Sequence, residues 1–305
     1  IQVWEICGRI CSKRLHPFLP EIVAVLERHD ELHLSSETKG LLLRMSRSTI
    51  DRCLQPSRFE QRRGLSTTKP GSLLKKAIPV RTYAQWDDAQ PGFVEMDLVA
   101  HCGETTAGQY INTLTVVDIS TGWTECLAVY QKTQHAVFEA VLQMRHRLPF
   151  PLLGIDSDNG GEFINNVLYR YCLTEQITFT RSRPYRKNDQ AHVEQKNWSV
   201  VRRLIGYDRF ETQDELNLLS AIYEDLRLYV NFFQPVLKLI GKEQIDGRTV
   251  KRYDLAVTPF RRVLASHEVS FEVKAKLIGQ YYQLNPVTLR HKIDENVARL
   301  WKLIR

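Results

Sequence analysis

Residues 155–163 read IDSDNGGEF: two aspartates, an asparagine and two glycines behind one isoleucine. Leu152–Ile155 is an apolar run of strand length, so the acids stand where a buried strand ends. Alternation along a strand puts Asp156 and Asp158 on one face. Asn159, Gly160 and Gly161 are turn residues. The stretch after them, Glu162–Gln176, has helical spacing, with Glu162 favoured at the positive N-terminal end. Strand, sharp turn and helix form the building unit of an α/β sheet.

The pattern extends in both directions. GFVEMDLVAH (92–101), QYINTLTVVDIS (109–120) and WTECLAVYQ (123–131) read as three strands of a meander. A helix over 133–148 separates them from the Leu152–Ile155 strand. ITFTRSRP (177–184) is a fifth strand, and NDQAHVEQKNWSVVRRLIG (188–206) a long helix with Asp189 as its cap. Strands reached through helices run parallel, so the sheet is mixed and covered by helices, an α/β arrangement with an RNase H-like order. A further amphipathic helix, 212–235, ends at Pro235.

The flanks differ from this core. Residues 1–55 read as a helical domain, with a helix starting at Pro20. A second helix is capped by Ser36 and runs through Met45, with Ser46 in a turn. A third is capped by Ser48 and turns Ile50 and Leu54 inward. Arg47, Thr49 and Arg52 are left outside, as suits a helix-turn-helix that reads a major groove. Residues 56–90 are a linker carrying Arg62, Arg63, Lys75 and Lys76, basic enough to follow a phosphate backbone. Residues 91–237 form the α/β core, and 238–305 a mostly helical C-terminal domain. That last domain has a hairpin at Asp246-Gly247 and helices near 267–283 and 286–304.

Charge follows the same division. Residues 1–90 hold 15 Lys/Arg against 10 Asp/Glu, residues 91–206 hold 11 against 12, and residues 207–305 hold 16 against 13. Basic flanks around an acidic centre favour a polyanion such as nucleic acid. No apolar run has membrane-spanning length, and the six cysteines form no CxxC pair. No membrane partner and a cytoplasmic, nucleoid-associated location are therefore expected. The chain opens on Ile1 without a signal peptide and reads as cropped upstream.

Chemistry concentrates on carboxylates. Asp97 lies in the first strand with Glu95 on the same face, Asp158 ends the fourth, and Glu194 rides on the long helix. In an RNase H-like sheet the first and fourth strands are neighbours, so Asp97 and Asp158 meet and the helix brings Glu194 alongside. Three gathered carboxylates repel one another unless cations offset the charge, and hard oxygen ligands suit Mg²⁺ or Mn²⁺. Two such ions, about 4 Å apart, support in-line phosphoryl transfer. Asp156 and Asp118 are read as neighbours rather than ligands. His192 falls on another helix face.

EMD, DSDNGGEF and Glu194 resemble the DDE motif of retroviral-type integrases and insertion-sequence transposases. Asp158 and Glu194 are separated by 35 residues, the spacing of that superfamily. RPYRKNDQAHVEQ resembles the segment leading into its catalytic helix, with Ala191 where glycine is usual. YVNFFQPVLKL resembles the end of its core, with Gln234 where arginine is usual. The resemblance covers about 90–237. It implies a DNA transposase in which Asp97, Asp158 and Glu194 hold two metal ions for 3′-end cleavage and strand transfer. It also implies transposon-end and target DNA as partners and a homo-oligomer, dimer or higher, on DNA. An RNase H-like nuclease without strand transfer and a catalytically inactive DNA-binding regulator are the alternatives. Arg181, Arg183, Arg186, Lys187 and Arg202 stand near the acids and suit DNA phosphates. Tyr185 and Trp198 are candidate stacking residues, though Trp198 reads more simply as core.

Overall fold

Phe93–Ala100 (β1) carries acids and apolar residues on alternating faces, and this alternation fixes which side of the sheet does chemistry. β1 pairs antiparallel with Ile111–Asp118 (β2), which pairs antiparallel with Thr124–Tyr130 (β3). On its other side β1 pairs parallel with Gly154–Ser157 (β4), which pairs parallel with Thr178–Arg181 (β5). The order β3-β2-β1-β4-β5 is the expected RNase H-like mixed sheet. The computed structural model describes residues 1–57, 90–182, 190–245 and 248–304.

Each face of the sheet has its own core. Val94, Met96, Leu114, Val116, Ile155 and Phe179 pack under Gln134–Arg147 (α5) and Asn166–Thr174 (α6). On the opposite face Val99, Ile111, Trp123 and Cys126 meet Gln213–Phe233 (α9). Between α6 and α9 the chain runs as one helix: Ala191–Lys196 (α7), a π-helical segment Asn197–Arg202, and Arg203–Ile205 (α8). Helix α9 is docked by pairs of polar bonds. Asn231 Oδ1 accepts from Thr124 N at 2.8 Å while its Nδ2 donates to Thr124 O at 2.8 Å. Arg227 forks onto the fully buried Glu125 at 2.7 and 2.8 Å, an arrangement that satisfies both charges.

The flanking segments share the α9 core. Gln2–Ile6 (α1), Ser12–Arg28 (α2), Ser36–Leu43 (α3) and Arg47–Leu54 (α4) precede the sheet. Leu239–Ile245 (β6) and Arg248–Tyr253 (β7) form the expected hairpin. Pro259–Ala265 (α10), Phe271–Gln283 (α11) and Pro286–Leu303 (α12) follow, of which α10 was not expected from sequence. Ile22 and Leu26 of α2, Phe260, Tyr281 and Ile293 all belong to one buried cluster with α9. Gln234 Nε2 donates to Cys7 O at 2.8 Å, so the departure from arginine at this position serves packing.

Some boundaries differ from the expectation. Helix α2 starts at Ser12, with Pro17 and Pro20 inside it. Each proline removes one backbone bond, but the continuous buried face from Leu15 to Leu26 offsets the loss. Ser35 and Ser46, not Ser36 and Ser48, are the caps: their side chains accept from Thr38 N and Thr49 N, both at 3.2 Å. Helix, three-residue turn and helix remain, with Ile50 and Leu54 buried and Arg47 and Arg52 exposed. The expected helix from Glu162 begins only at Asn166. Asn165 caps it, accepting from Leu168 N at 3.0 Å and donating to Glu162 O at 2.6 Å.

One buried group gives the fold a pH signature. His101, at the end of β1, is fully buried, with Nε2 2.7 Å from Thr113 Oγ1. Burial, and then the Arg202 charge, pushes it down from 6.5 to about 3. Between those pH values the unfolded chain takes up a proton that the folded chain refuses. Stability therefore falls as the pH falls through that window, by a slope approaching about 1.4 kcal/mol per unit. His101→Gln should flatten the slope in urea unfolding between about pH 4 and 6; an unchanged slope would show that His101 titrates normally.

Candidate active site

The β1–β4 register pairs Glu95 with Asp156 and Met96 with Ser157. One step further, where β4 ends, Asp158 comes beside Asp97. Since Val94, Met96 and Ile155 enter the α5–α6 core, alternation sends Glu95, Asp97, Asp156 and Asp158 to the other face, beneath α7. Gly92 makes this neighbourhood possible. Its φ is +116°, and a Cβ there would lie 2.4 Å from Pro151 O. Its carbonyl accepts from Leu153 N at 2.8 Å and Gly154 N at 3.1 Å, which ties the entries of β1 and β4 together.

The four acids divide into two pairs by their surroundings. Glu95 and Asp156 are structural in their contacts. Glu95, 2% exposed, has Oε2 accepting from His192 N at 2.9 Å and Val193 N at 3.0 Å. A strand carboxylate thus caps α7, where backbone N–H groups and the helix dipole favour a negative charge. Gln190 occupies the cap position without a side-chain cap bond; the expected cap Asp189 lies outside the described residues. Asp156, 1% exposed, accepts from Thr180 Oγ1 at 2.6 Å, which fastens β4 to β5.

Asp97 and Asp158 are different. Asp97 accepts from Leu98 N at 2.8 Å and from Asn197 Nδ2 at 2.7 Å. Burial, reinforced by the charge of Asp158, pushes its carboxyl up to about 7. Burial also raises Asp158, with the Gly160 N–H at 2.8 Å opposing and the Glu162 charge adding to the rise. Two half-buried carboxylates side by side disfavour full ionisation. Asn197 follows Glu194 by three positions, so the side-chain row that touches Asp97 is the row that carries Glu194. Glu194 itself is exposed. Asn197 also opens the π-helical segment, a deviation that often accompanies functional sites.

Among the described residues, no three His, Cys, Asp or Glu groups are gathered tightly enough to hold a metal ion as placed. The donor chemistry nonetheless fits a hard divalent cation. Two neighbouring carboxylates are raised chiefly by burial, Asp97 further by the charge of Asp158, and the buried Asn197 Oδ1 beside them has no hydrogen-bond partner among the described residues. Lys132 partly offsets the acids. Its ammonium pairs with Glu162, and against the lowering effect of burial, Glu162, Asp158 and Asp97 hold it above its ordinary value. Nothing in the local sequence marks Lys132, because its partners arrive from β1 and from the turn after β4.

The remaining candidates fall in several places. Arg62, Arg63, Lys75, Lys76, Arg183, Tyr185, Arg186 and Lys187 lie outside the described residues. Arg47 and Arg52 are exposed on α4, while Thr49 Oγ1 lies 3.0 Å from Ser46 Oγ within the cap. Arg181 donates to Asn159 Oδ1 at 2.9 Å, and Asn159 Nδ2 donates to Ser182 O at 2.9 Å, bracing the turn that holds Asp158. Arg202 turns inward, donating to Ala100 O at 2.7 Å and Gly206 O at 3.2 Å and lying over the Tyr207 ring. Trp198, read as core, is 56% exposed, one turn beyond Glu194. Asp118 is fully buried and accepts from Gly92 N, Thr121 N and Thr121 Oγ1 at 2.6–2.8 Å, a turn-holding role.

The Glu95 cap was missed from sequence, and it makes a clear prediction. Glu95→Ala leaves two amides of the α7 N-terminus without their acceptor, at a cost of about 2 kcal/mol. Hydrogen exchange at His192 and Val193 should accelerate selectively, with Glu95→Gln partly restoring protection. Unchanged protection in the alanine variant would remove Glu95 from this role.

The family described as Integrase core domain matches residues 87–187. "Uncharacterized protein y4rM" of Sinorhizobium fredii is 44% identical over 264 residues, covering 86% of this chain and 75% of that protein. Among solved structures, the catalytic core domain of BIV integrase is 21% identical. That match covers 57% of this chain and 95% of that one, with a TM-score of 0.38. The HTLV-2 integrase catalytic core domain, in a dimeric form with magnesium, is 17% identical. It covers 53% of this chain and 96% of that one, with a TM-score of 0.36.

Proposed function

Since residues 87–187 match the Integrase core domain family, we propose that the chain is a DNA transposase that frees the 3′ ends of a mobile element and joins them to target DNA. The observation that carries this reading is the β1–β4 register. It sets Asp97 beside Asp158 under the helix face of Asn197 and Glu194. Asp97, Asp158 and Glu194 would hold Mg²⁺ or Mn²⁺ ions, which supply charge stabilisation for an in-line phosphodiester exchange. Asn197 orients Asp97, Glu95 fixes the helix that carries Glu194, and the Gly160 N–H holds one oxygen of Asp158. Lys132 offsets negative charge where a DNA phosphate would enter. Trp198, exposed beside this face, is placed to stack on an unpaired base.

Recognition of the ends is assigned to α3 and α4, with Arg47, Thr49 and Arg52 toward the groove and the 56–90 linker along the backbone. Two ends must be brought together, so a dimer or larger assembly on DNA is part of the proposal. The test is an oligonucleotide reaction with duplexes from the ends of the element carrying its gene, plus Mg²⁺ or Mn²⁺. Joined products carrying the labelled 3′ end are expected. Cleaved but never joined DNA would favour a nuclease, and binding without cleavage an inactive regulator.

A further inference from the structure

A second site lies on the far side of the same helix. Lys196 is two positions beyond Glu194, about 200° round the helix axis. It points away from the acids into a cavity of about 490 Å³ between α1, the α7–α8 helix, α9 and α12. Five basic side chains line this cavity: Arg9, Arg14, Lys196, Arg203 and Arg290. Only two carboxylates join them, Glu5 and Asp294. Those acids serve the rim: Glu5 pairs with Arg9 at 3.3 Å and Asp294 with Arg290 at 2.8 Å.

The floor is left without counter-charge. Lys196 is 7% exposed, and among the described residues neither it nor Arg203 makes a hydrogen bond or ion pair. Arg14 donates to Pro235 O at 2.5 Å, a neutral acceptor. Burial, and then the Arg14 charge, pushes Lys196 down from 10.5 to about 7, so its amine is only partly protonated near neutral pH until an anion enters, and burial also lowers Arg14 and Arg203. Arg203 adds to the effect on Arg14, and Arg290 and Arg9 add to that on Arg203. Folding thus gathers like charges in a solvent-open recess, at a cost with no return inside the chain. A multiply charged anion removes that cost. Guanidinium forks match phosphate oxygens, and the volume exceeds that of a single phosphate group.

We propose that this cavity binds a phosphate-bearing polyanion, either a stretch of DNA backbone or a free polyphosphate, and so clamps the N-terminal helices and α12 onto the back of the helix that carries Glu194. The proposal is independent of the catalytic reading. Calorimetry and thermal unfolding of the full chain with sodium tripolyphosphate test it. Binding should be at least about tenfold tighter than a millimolar Kd, with a rise in Tm. Lys196→Met removes a buried amine whose charge burial opposes, and so should keep the fold. Arg203→Gln changes an exposed residue. Each should weaken binding about tenfold or more. No binding at millimolar tripolyphosphate, or equal affinity in both variants, overturns the site. A DNA duplex that displaces tripolyphosphate, and binds more weakly to both variants, identifies the ligand as backbone phosphate. A duplex that binds alongside it, unaffected by either substitution, identifies a free polyphosphate.

Discussion

Asp158→Asn and Glu194→Gln should each abolish 3′-end cleavage and strand transfer, while Asp156→Asn leaves both within about tenfold of the unmodified protein. The three substitutions change charge and barely change shape, so packing does not separate them. Asp158 lies beside Asp97 at the open end of β4, and asparagine there still accepts from Gly160 N. On the proposed reading it loses the anionic oxygen that would hold a divalent cation, a contribution of several kcal/mol to the reaction, or at least about 10³-fold in rate. At Asp156 the acceptor for Thr180 Oγ1 survives the substitution, and the group is buried away from the helix face of Asn197. Binding of end DNA, measured by gel shift, should persist in all three. A dead Asp156 variant together with an active Asp158 variant would exchange their roles, and an active Glu194→Gln protein would remove the helix from the chemistry.

The part of this site written in sequence is the part with a period. Alternation in VEMD and IDSD places four acids on two strand faces, and the meander–helix–strand order fixes which strands are neighbours. The 35-residue interval from Asp158 to Glu194 adds the helix. What escaped is what depends on three-dimensional approach. The amides capped by Glu95 lie 97 and 98 positions away, and Lys132 meets Glu162 across a strand and a helix. Local rules also gave way where burial outweighed them. Pro17 and Pro20 argue for a late helix start, yet the apolar face of α2 carries the helix back to Ser12. Glu162 suits a helix start, yet it is drawn into an ion pair in the turn, and Asn165 takes the cap. Trp198 follows aromatic habit in pointing to a core, but its row on the helix faces the open acidic side.

The second large effect concerns stability in the absence of metal. With its folded carboxyl raised from 3.8 to about 7, Asp97 holds a proton in the folded chain that the unfolded chain has released. Stability therefore falls as the pH rises through that window, and most of the loss is present at pH 8. Asp97→Asn removes the titrating group. Its new amide keeps an acceptor for Leu98 N, and a half-turn of the Asn197 amide lets the unpartnered Oδ1 receive the new N–H. In EDTA at about pH 8 the variant should be more stable by about 2 kcal/mol, roughly 3 °C in Tm for a chain of this length, a figure reduced from the full shift because Asp97 is partly exposed. The difference should narrow as the pH is lowered toward about 4. Adding Mg²⁺ should raise the Tm of the unmodified protein, because the ion binds only the folded chain, and leave that of the variant nearly unchanged. Thermal unfolding with and without EDTA measures both effects. A variant less stable than the unmodified protein in EDTA, or one that keeps the full Mg²⁺ shift, would mean that the repulsion between Asp97 and Asp158 is relieved by Lys132 alone and that the cation binds elsewhere.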